Sequence, residues 1–231
     1  MDWLKRLFAK YITKPWLLRK LRKPSDFSFE KFNLRIEPGV FHPQYFFSSE
    51  YLAEFVAKLD LKGKTFAEPC TGSGLISIVA RAAGAHVISS DINPLAVNCA
   101  KHNFELNKKL FPEVGSSRVI ASDIFNDYPP QKFDFVVVNP PYFFRPQQNA
   151  EQLAWNCGEE GEFFEQFFLQ LQQHIRPNSQ VYMILAENCE IERIRKIARK
   201  YCTELKLVDE RKISWEKNYI FVVEQRFETH E

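Results

Sequence analysis

Phe133-Asp134-Phe135-Val136-Val137-Val138-Asn139-Pro140-Pro141-Tyr142 decides how this chain is read. Val136 to Val138 is an uninterrupted β-branched run, the pattern of a strand buried on both faces. Two prolines stop it, because neither can donate to a sheet ladder. The strand therefore delivers Asn139 and Tyr142 to its carboxyl end, where open α/β sheets bind their ligands. An amide and an aromatic ring held beside rigid prolines suit a flat substrate nitrogen. The ring can stack on the plane, and Asn139 Oδ1 and the Pro140 carbonyl can accept its N–H hydrogens.

Upstream, strand–turn–helix units follow one another in the rhythm of a parallel sheet. A strand at 65–67 runs into Glu68-Pro69-Cys70-Thr71-Gly72-Ser73-Gly74, and an apolar helix follows from Leu75. Gly72 and Gly74 allow a sharp turn and a close approach of backbone to ligand. A second strand, 86–90, ends in Asp91, near the spacing at which nucleotide-binding folds set a carboxylate on ribose hydroxyls. Asn93-Pro94 then opens a helix, as N-cap and first helical residue. A third strand, 118–121, ends in Ser122-Asp123. Glu68, Asp91, Asp123 and Asn139 thus close four consecutive strands at one edge.

The glycine turn lacks the third glycine of a dinucleotide fingerprint, since Ser77 stands there, and it lacks the Lys-Ser/Thr pair of a P-loop. Carboxylates at the turn favour a cationic ligand over a pyrophosphate by Coulomb sign. S-adenosylmethionine meets these demands, with a sulfonium, an ammonium, a ribose and an adenine.

Downstream, a helix is expected over 162–174, a strand over 180–185, a basic helix over 190–201, and two last strands near 205–208 and 218–224. Residues 143–160 read as a long connection beside the site, the place for a substrate lid. Ahead of the sheet, Phe27, Phe29 and Phe32, with Leu34 and Ile36, suggest a short extended piece or a hairpin. Ser48 or Ser49 is an N-cap for a helix running to about Leu59. His42 reads as structural.

The residues around Glu68–Gly74 and Asn139–Tyr142 resemble the class I S-adenosylmethionine-dependent methyltransferases. The closer likeness is to the Asn-Pro-Pro-Tyr branch, whose small-methyltransferase module is shared by release-factor glutamine methylases and RNA adenine N6-methylases. The resemblance spans roughly residues 38–225. It implies a Rossmann-like α/β fold, with a seven-stranded mostly parallel sheet, helices on both faces and an antiparallel final pair. It also implies that Asn139, Pro140, Pro141 and Tyr142 are catalytic. Glu68, Cys70, Thr71, Gly72, Gly74, Asp91, Ile92, Asp123, Ile124 and Asn139 would contact the cofactor, with Asp91 on the ribose and Asp123 on the adenine amine. Val40-Phe41-His42-Pro43 with Ser48 resembles the segment that helps close such sites. The likeness departs at Cys70, where glycine is commoner, and at Phe143-Phe144-Arg145-Pro146 after the catalytic motif. Glu68-Pro69 with Thr71-Gly72-Ser73-Gly74 looks more like a variant found among nucleic-acid methylases.

Of the 231 residues, 45% are hydrophobic and 22 are phenylalanine, enough for a sizeable core. The five cysteines are scattered, without metal-type spacing to histidine, so no metal is expected and a reducing, cytoplasmic setting is. No apolar run approaches the length of a membrane span. Residues 1–35 carry ten Lys or Arg against three acids, a balance of +7, and the rest carries 21 against 26, a balance of −5. A basic extension over 1–37, with two short amphipathic helices, is expected ahead of a methyltransferase domain over 38–231. The extension could dock on the body, hold a nucleic-acid backbone or lie on an anionic membrane surface. The expected reaction is N-methylation of a planar amino nitrogen, foremost adenine N6 in RNA or DNA, with protein glutamine as the alternative. A domain that binds S-adenosylmethionine or RNA without catalysing is a third reading.

Overall fold

The computed structural model describes residues 21–45, 47–147, 150–213 and 216–225. The two amphipathic helices expected near the amino terminus lie outside the described residues. The described chain starts with a hairpin, β1 (Ser25–Phe29) and β2 (Phe32–Ile36), and continues to helix α1 (Ser48–Val56). Then come β3 (Thr65–Pro69), α2 (Leu75–Ala82), β4 (His86–Asp91), α3 (Pro94–Asn107), β5 (Ser116–Ala121) and β6 (Phe135–Val138). A small excursion of β7 (Phe143–Phe144), α4 (Ala150–Leu153) and β8 (Asn156–Gly158) follows. The chain closes with α5 (Glu162–His174), β9 (Gln180–Ala186), α6 (Ile191–Lys200), β10 (Thr203–Ile213) and β11 (Glu216–Gln225).

Seven of these strands form one sheet in the order β10-β11-β9-β6-β3-β4-β5. The pairs from β9 to β5 are parallel, and β11 runs antiparallel to both of its neighbours. All four residues of β6 are buried, because β6 is central and both faces are covered. Phe135 and Val137 enter one core with α1, α2, α3 and the hairpin. Val136 and Val138 enter the other, with Phe164, Phe167 and Phe168 of α5 and Ile194 and Ile197 of α6. The alternation of a strand thus divides one apolar run between two cores.

The hairpin is tied to the body by an exchange that helix propensity does not announce. Asn103 and Asn107, one turn apart on α3, act as a side-chain ladder for β2. Asn103 Oδ1 accepts from Arg35 N at 2.8 Å, and its Nδ2 donates to Arg35 O at 3.0 Å. Asn107 repeats this at Asn33, with 3.1 and 2.7 Å. Two amides at helical spacing thus satisfy backbone groups of a strand edge.

Two expectations change. The helix at 48 has Phe47 at its N-cap and no side-chain cap, so neither Ser48 nor Ser49 caps it. Residues 143–160 are not a plain loop. β7 pairs with β8, and the Trp155 carbonyl accepts from both Tyr142 N and Phe143 N, at 3.1 and 2.9 Å. His42 is structural, as read. Its Nδ1 accepts from Gln44 N, which leaves the Nε2 hydrogen for Ser25 Oγ at 2.7 Å.

Candidate active site

The carboxyl ends of β3, β4, β5 and β6 open onto one cleft of about 200 Å³. Glu68, Cys70, Thr71, Gly72, Asp91, Ile92, Asp123, Ile124, Asn139, Pro140 and Pro141 all line it. Two of the expected site residues stand behind that wall. Gly74 sits at the start of α2 with φ of 85°, and a Cβ there would lie 3.1 Å from the Ala100 side chain of α3. Its absent side chain serves helix packing and the left-handed turn. Tyr142 is buried at 8% exposure, its ring edge-on to Phe143.

The turn after β3 is held by carboxylates. Glu68 is buried, and its Oε2 accepts from Thr71 Oγ1 at 2.7 Å, from Ser77 N at 3.0 Å and from the Ser77 hydroxyl. Burial raises its carboxyl to about 7, against these three hydrogen bonds. Asp91 Oδ2 accepts from Gly72 N and Oδ1 from Asn93 N, both at 2.9 Å. It therefore fixes the glycine turn and starts α3 at once. Burial raises this carboxyl too, against the backbone donors.

Cys70 and Ile124 adopt positive φ, 61° and 54°, a conformation uncommon for any side chain and least expected of a β-branched one. Both are cleft residues, and strain of this kind concentrates at functional sites. Ser90 Oγ donates to the Ile124 carbonyl at 3.1 Å and holds that backbone in place. The Cys70 thiol is raised well above its ordinary value, first by burial and then by Asp91, Asp123 and Glu68.

Asn139 is held from across the cleft. Its Nδ2 donates to Ser48 Oγ at 3.2 Å and to Ser49 Oγ at 3.1 Å. The reading of the sequence missed this use of the serines, because a pair of them before a helix signals a cap. It also missed Gly39, whose carbonyl accepts from Asn93 Nδ2 at 3.0 Å, and Glu162, Phe163 and Gln166 of α5, which complete the wall. No short motif could have pointed to these residues.

Four carboxylates, Glu68, Asp91, Asp123 and Glu162, line the cleft, and the described lining includes no Lys or Arg. That donor set fits a ligand that is cationic at one end, and Ile92, Ile124 and Phe163 offer apolar surface for an aromatic base. A pyrophosphate would meet only like charge. Among the described residues no cluster of His, Cys, Asp and Glu suits a metal ion, and no helix is long and apolar enough to cross a membrane.

Comparison with known proteins agrees with this geometry. The model of the methyltransferase small domain matches residues 31–212. A putative protein N5-glutamine methyltransferase of Methanocaldococcus jannaschii is 29% identical over 163 residues, 67% of this chain and 76% of that protein. The release factor glutamine methyltransferase of Clostridium acetobutylicum is 33% identical over 135 residues, 54% of this chain and 46% of its own length. Among solved structures, a T. thermophilus 16S rRNA methyltransferase in complex with AdoMet and guanosine superposes with a TM-score of 0.62 at 15% identity, over 88% of this chain and 50% of that one. This last likeness is one of fold. The chain belongs to the methyltransferase small domain family, and it is a class I S-adenosylmethionine-dependent methyltransferase.

Proposed function

We propose that this enzyme methylates the side-chain amide nitrogen of a glutamine in a protein, with Asn139 as the residue that receives that nitrogen. The observation that carries the reading is the Asn139 amide, whose two Nδ2 hydrogens have acceptors in Ser48 and Ser49. Oδ1 remains to accept, beside Pro140 on the cleft wall. S-adenosylmethionine, when bound, supplies an electrophilic methyl group on a cationic sulfur. Asp91 would hold the ribose hydroxyls, Asp123 the adenine amine, and the turn from Glu68 to Gly72 the methionine part. Cys70, Thr71, Ile92 and Ile124 complete that wall, and Gly74 shapes the turn from behind. An amide nitrogen is a poor nucleophile because its lone pair is delocalised. An acceptor fixed at Asn139 Oδ1 favours the developing charge on that nitrogen and fixes the line of attack. No base is needed beforehand, since the nitrogen loses its proton readily after transfer.

Two observations favour glutamine as the acceptor. Two of the relatives, one of them as putative, are named as glutamine methyltransferases, and the putative one is aligned over 163 residues. Carboxyl groups also stand near the catalytic motif, and so does one cation, Arg145, whose guanidinium carbon lies 5.5 Å from the Phe143 ring centre. Burial and then Cys189 and Glu216 raise the Tyr142 hydroxyl, and Glu216 itself is raised by burial and Glu187. Glu50, next to Ser49, is raised by burial and Glu54. Arg211 and Lys217 are paired to Glu54 and Glu210. With Arg211 and Lys217 so paired, a polyphosphate strand would find few free cations there, a lack that a peptide would not feel. Adenine N6 in RNA is the second reading, favoured by the +7 balance of residues 1–35. All five cysteines are free, in keeping with a cytoplasmic site of action.

The test is transfer of labelled methyl from S-adenosylmethionine to total protein and, in parallel, to total RNA from cells lacking the gene. Label in a protein band, resolved as methylglutamine, is the expected result. Label confined to RNA as N6-methyladenosine would replace it with the second reading.

A further inference from the structure

We propose that Ser48 and Ser49 are positioning residues for the reaction, holding the Asn139 amide so that its Oδ1 and not its Nδ2 meets the acceptor nitrogen. The inference rests on the reading of Asn139 as the acceptor-binding amide. A primary amide presents an acceptor on one side and two donors on the other, and a rotation about its last bond exchanges them. In one orientation Oδ1 accepts the acceptor's N–H, and in the other two donors face each other. The prolines that follow Asn139 restrict the backbone and leave this rotation untouched.

The two hydroxyls remove that freedom. Both hydrogens of Nδ2 are engaged, at 3.2 and 3.1 Å, by oxygens from adjacent residues on one helix turn. Both serines are buried, at 4% and 7% exposure, so water does not compete freely for the amide. Neither hydroxyl is spent on the helix start, where Phe47 stands at the cap without a side-chain bond. The helix that carries them is anchored further along. Tyr51 is buried beneath Arg211, whose guanidinium carbon lies 4.4 Å from the ring centre, and Glu54 pairs with Arg211. The serines are thus presented by a fixed element, as precise positioning requires.

The experiment compares Asn139→Ala, Ser49→Ala and the double variant Ser48→Ala/Ser49→Ala with the wild-type enzyme. Four quantities are read: the maximal rate of methyl transfer to total protein from cells lacking the gene, the half-saturating extract concentration, the calorimetric Kd for S-adenosylmethionine, and the 15N–1H signals of the Asn139 side-chain amide, assigned by their loss in Asn139→Ala. The double variant is expected to lose roughly a hundredfold in maximal rate, the scale of a misplaced reacting group, with cofactor affinity unchanged. The amide signals are expected to lose their protection from exchange. Ser49→Ala, which leaves one of the two hydrogen bonds, carries the test with about a tenfold loss should the double variant not fold. Wild-type rates in the serine variants beside an inactive Asn139→Ala protein would overturn the positioning role alone. So would a cofactor Kd that rises in step with the loss of rate, since that marks a general structural effect. An active Asn139→Ala protein would overturn the acceptor reading itself, and the inference with it.

Discussion

Gly72 N donates to Asp91 Oδ2 at 2.9 Å, and with Thr71 N on the Ser90 carbonyl at 2.8 Å this bond ties the glycine turn after β3 to the end of β4. Asp91 is therefore both a wall of the cleft and a brace for its floor. Removing it takes away a carboxylate and loosens the turn. Asp91→Ala is expected to weaken S-adenosylmethionine binding by about a hundredfold, from two lost charge-assisted hydrogen bonds of roughly 1.5 kcal/mol each. Calorimetric titration checks it, and affinity within threefold of wild type would exclude the assigned role.

Asn139→Ala is expected to abolish turnover, by a factor on the order of a thousand, while lowering cofactor affinity far less. The side chain is held by Ser48 and Ser49 and braces no part of the glycine turn. Rate and affinity should therefore separate cleanly in paired transfer and binding assays.

The Glu68 carboxyl, raised by burial to about 7 from an ordinary 4.5, makes stability depend on pH. A carboxyl that holds its proton more tightly when folded adds stability below its unfolded value and loses that contribution as pH rises through the folded one. The cofactor-free protein is expected to lose stability through this group between pH 4.5 and about 7. Glu68→Gln keeps an acceptor for Thr71 and Ser77 and has no proton to lose. Urea unfolding at pH 5 and pH 8 should show a smaller difference for the variant, and equal slopes would count against the buried charge.

Cys70 occupies a left-handed conformation, φ 61°, that glycine adopts without strain. Cys70→Gly is expected to hold or raise stability by about 1 kcal/mol, and Cys70→Val to lower it by a similar amount or more. Thermal melts of both variants give the sign.

Asn103→Ala removes one of the two amides that hold β2 and leaves Arg35 N and the Ser73 carbonyl without a partner, while the Arg35 carbonyl keeps the Cys99 thiol at 3.1 Å. Asn103 has no exposed surface, so water cannot replace it freely. A loss of about 2 kcal/mol is expected from the two groups left unpaired. Denaturant titration measures it.

The sheet was legible because its signals are local. Val136–Val138 and the acids at strand ends lie where the chain itself turns from strand to loop, and these residues meet at one cleft. Asn93-Pro94 started its helix as read, with Asn93 Oδ1 accepting from Leu95 N at 3.0 Å. The missed features are those whose meaning depends on a distant partner. Ser48 and Ser49 look like caps until Asn139 is placed beside them. Asn103 looks like a poor helix residue until a strand edge lies against it. The excursion of β7, α4 and β8 could not be read either, since β7 and β8 have two and three residues and no periodicity to show. Gly74 and Tyr142 were expected at the ligand surface, and each stands one layer behind it.

The serines and the amide they hold are 91 and 90 residues apart in the chain, whereas Gly72 and Asp91 are separated by 19. A polypeptide leaving the ribosome amino terminus first can close the short contact long before the long ones. The serines at 48 and 49 must wait for their amide until β6 has been made and inserted. A half-built molecule could thus grip parts of its cofactor while still unable to aim the amide. On the proposed role of Asn139, a copy that stops short of β6 is expected to transfer no methyl.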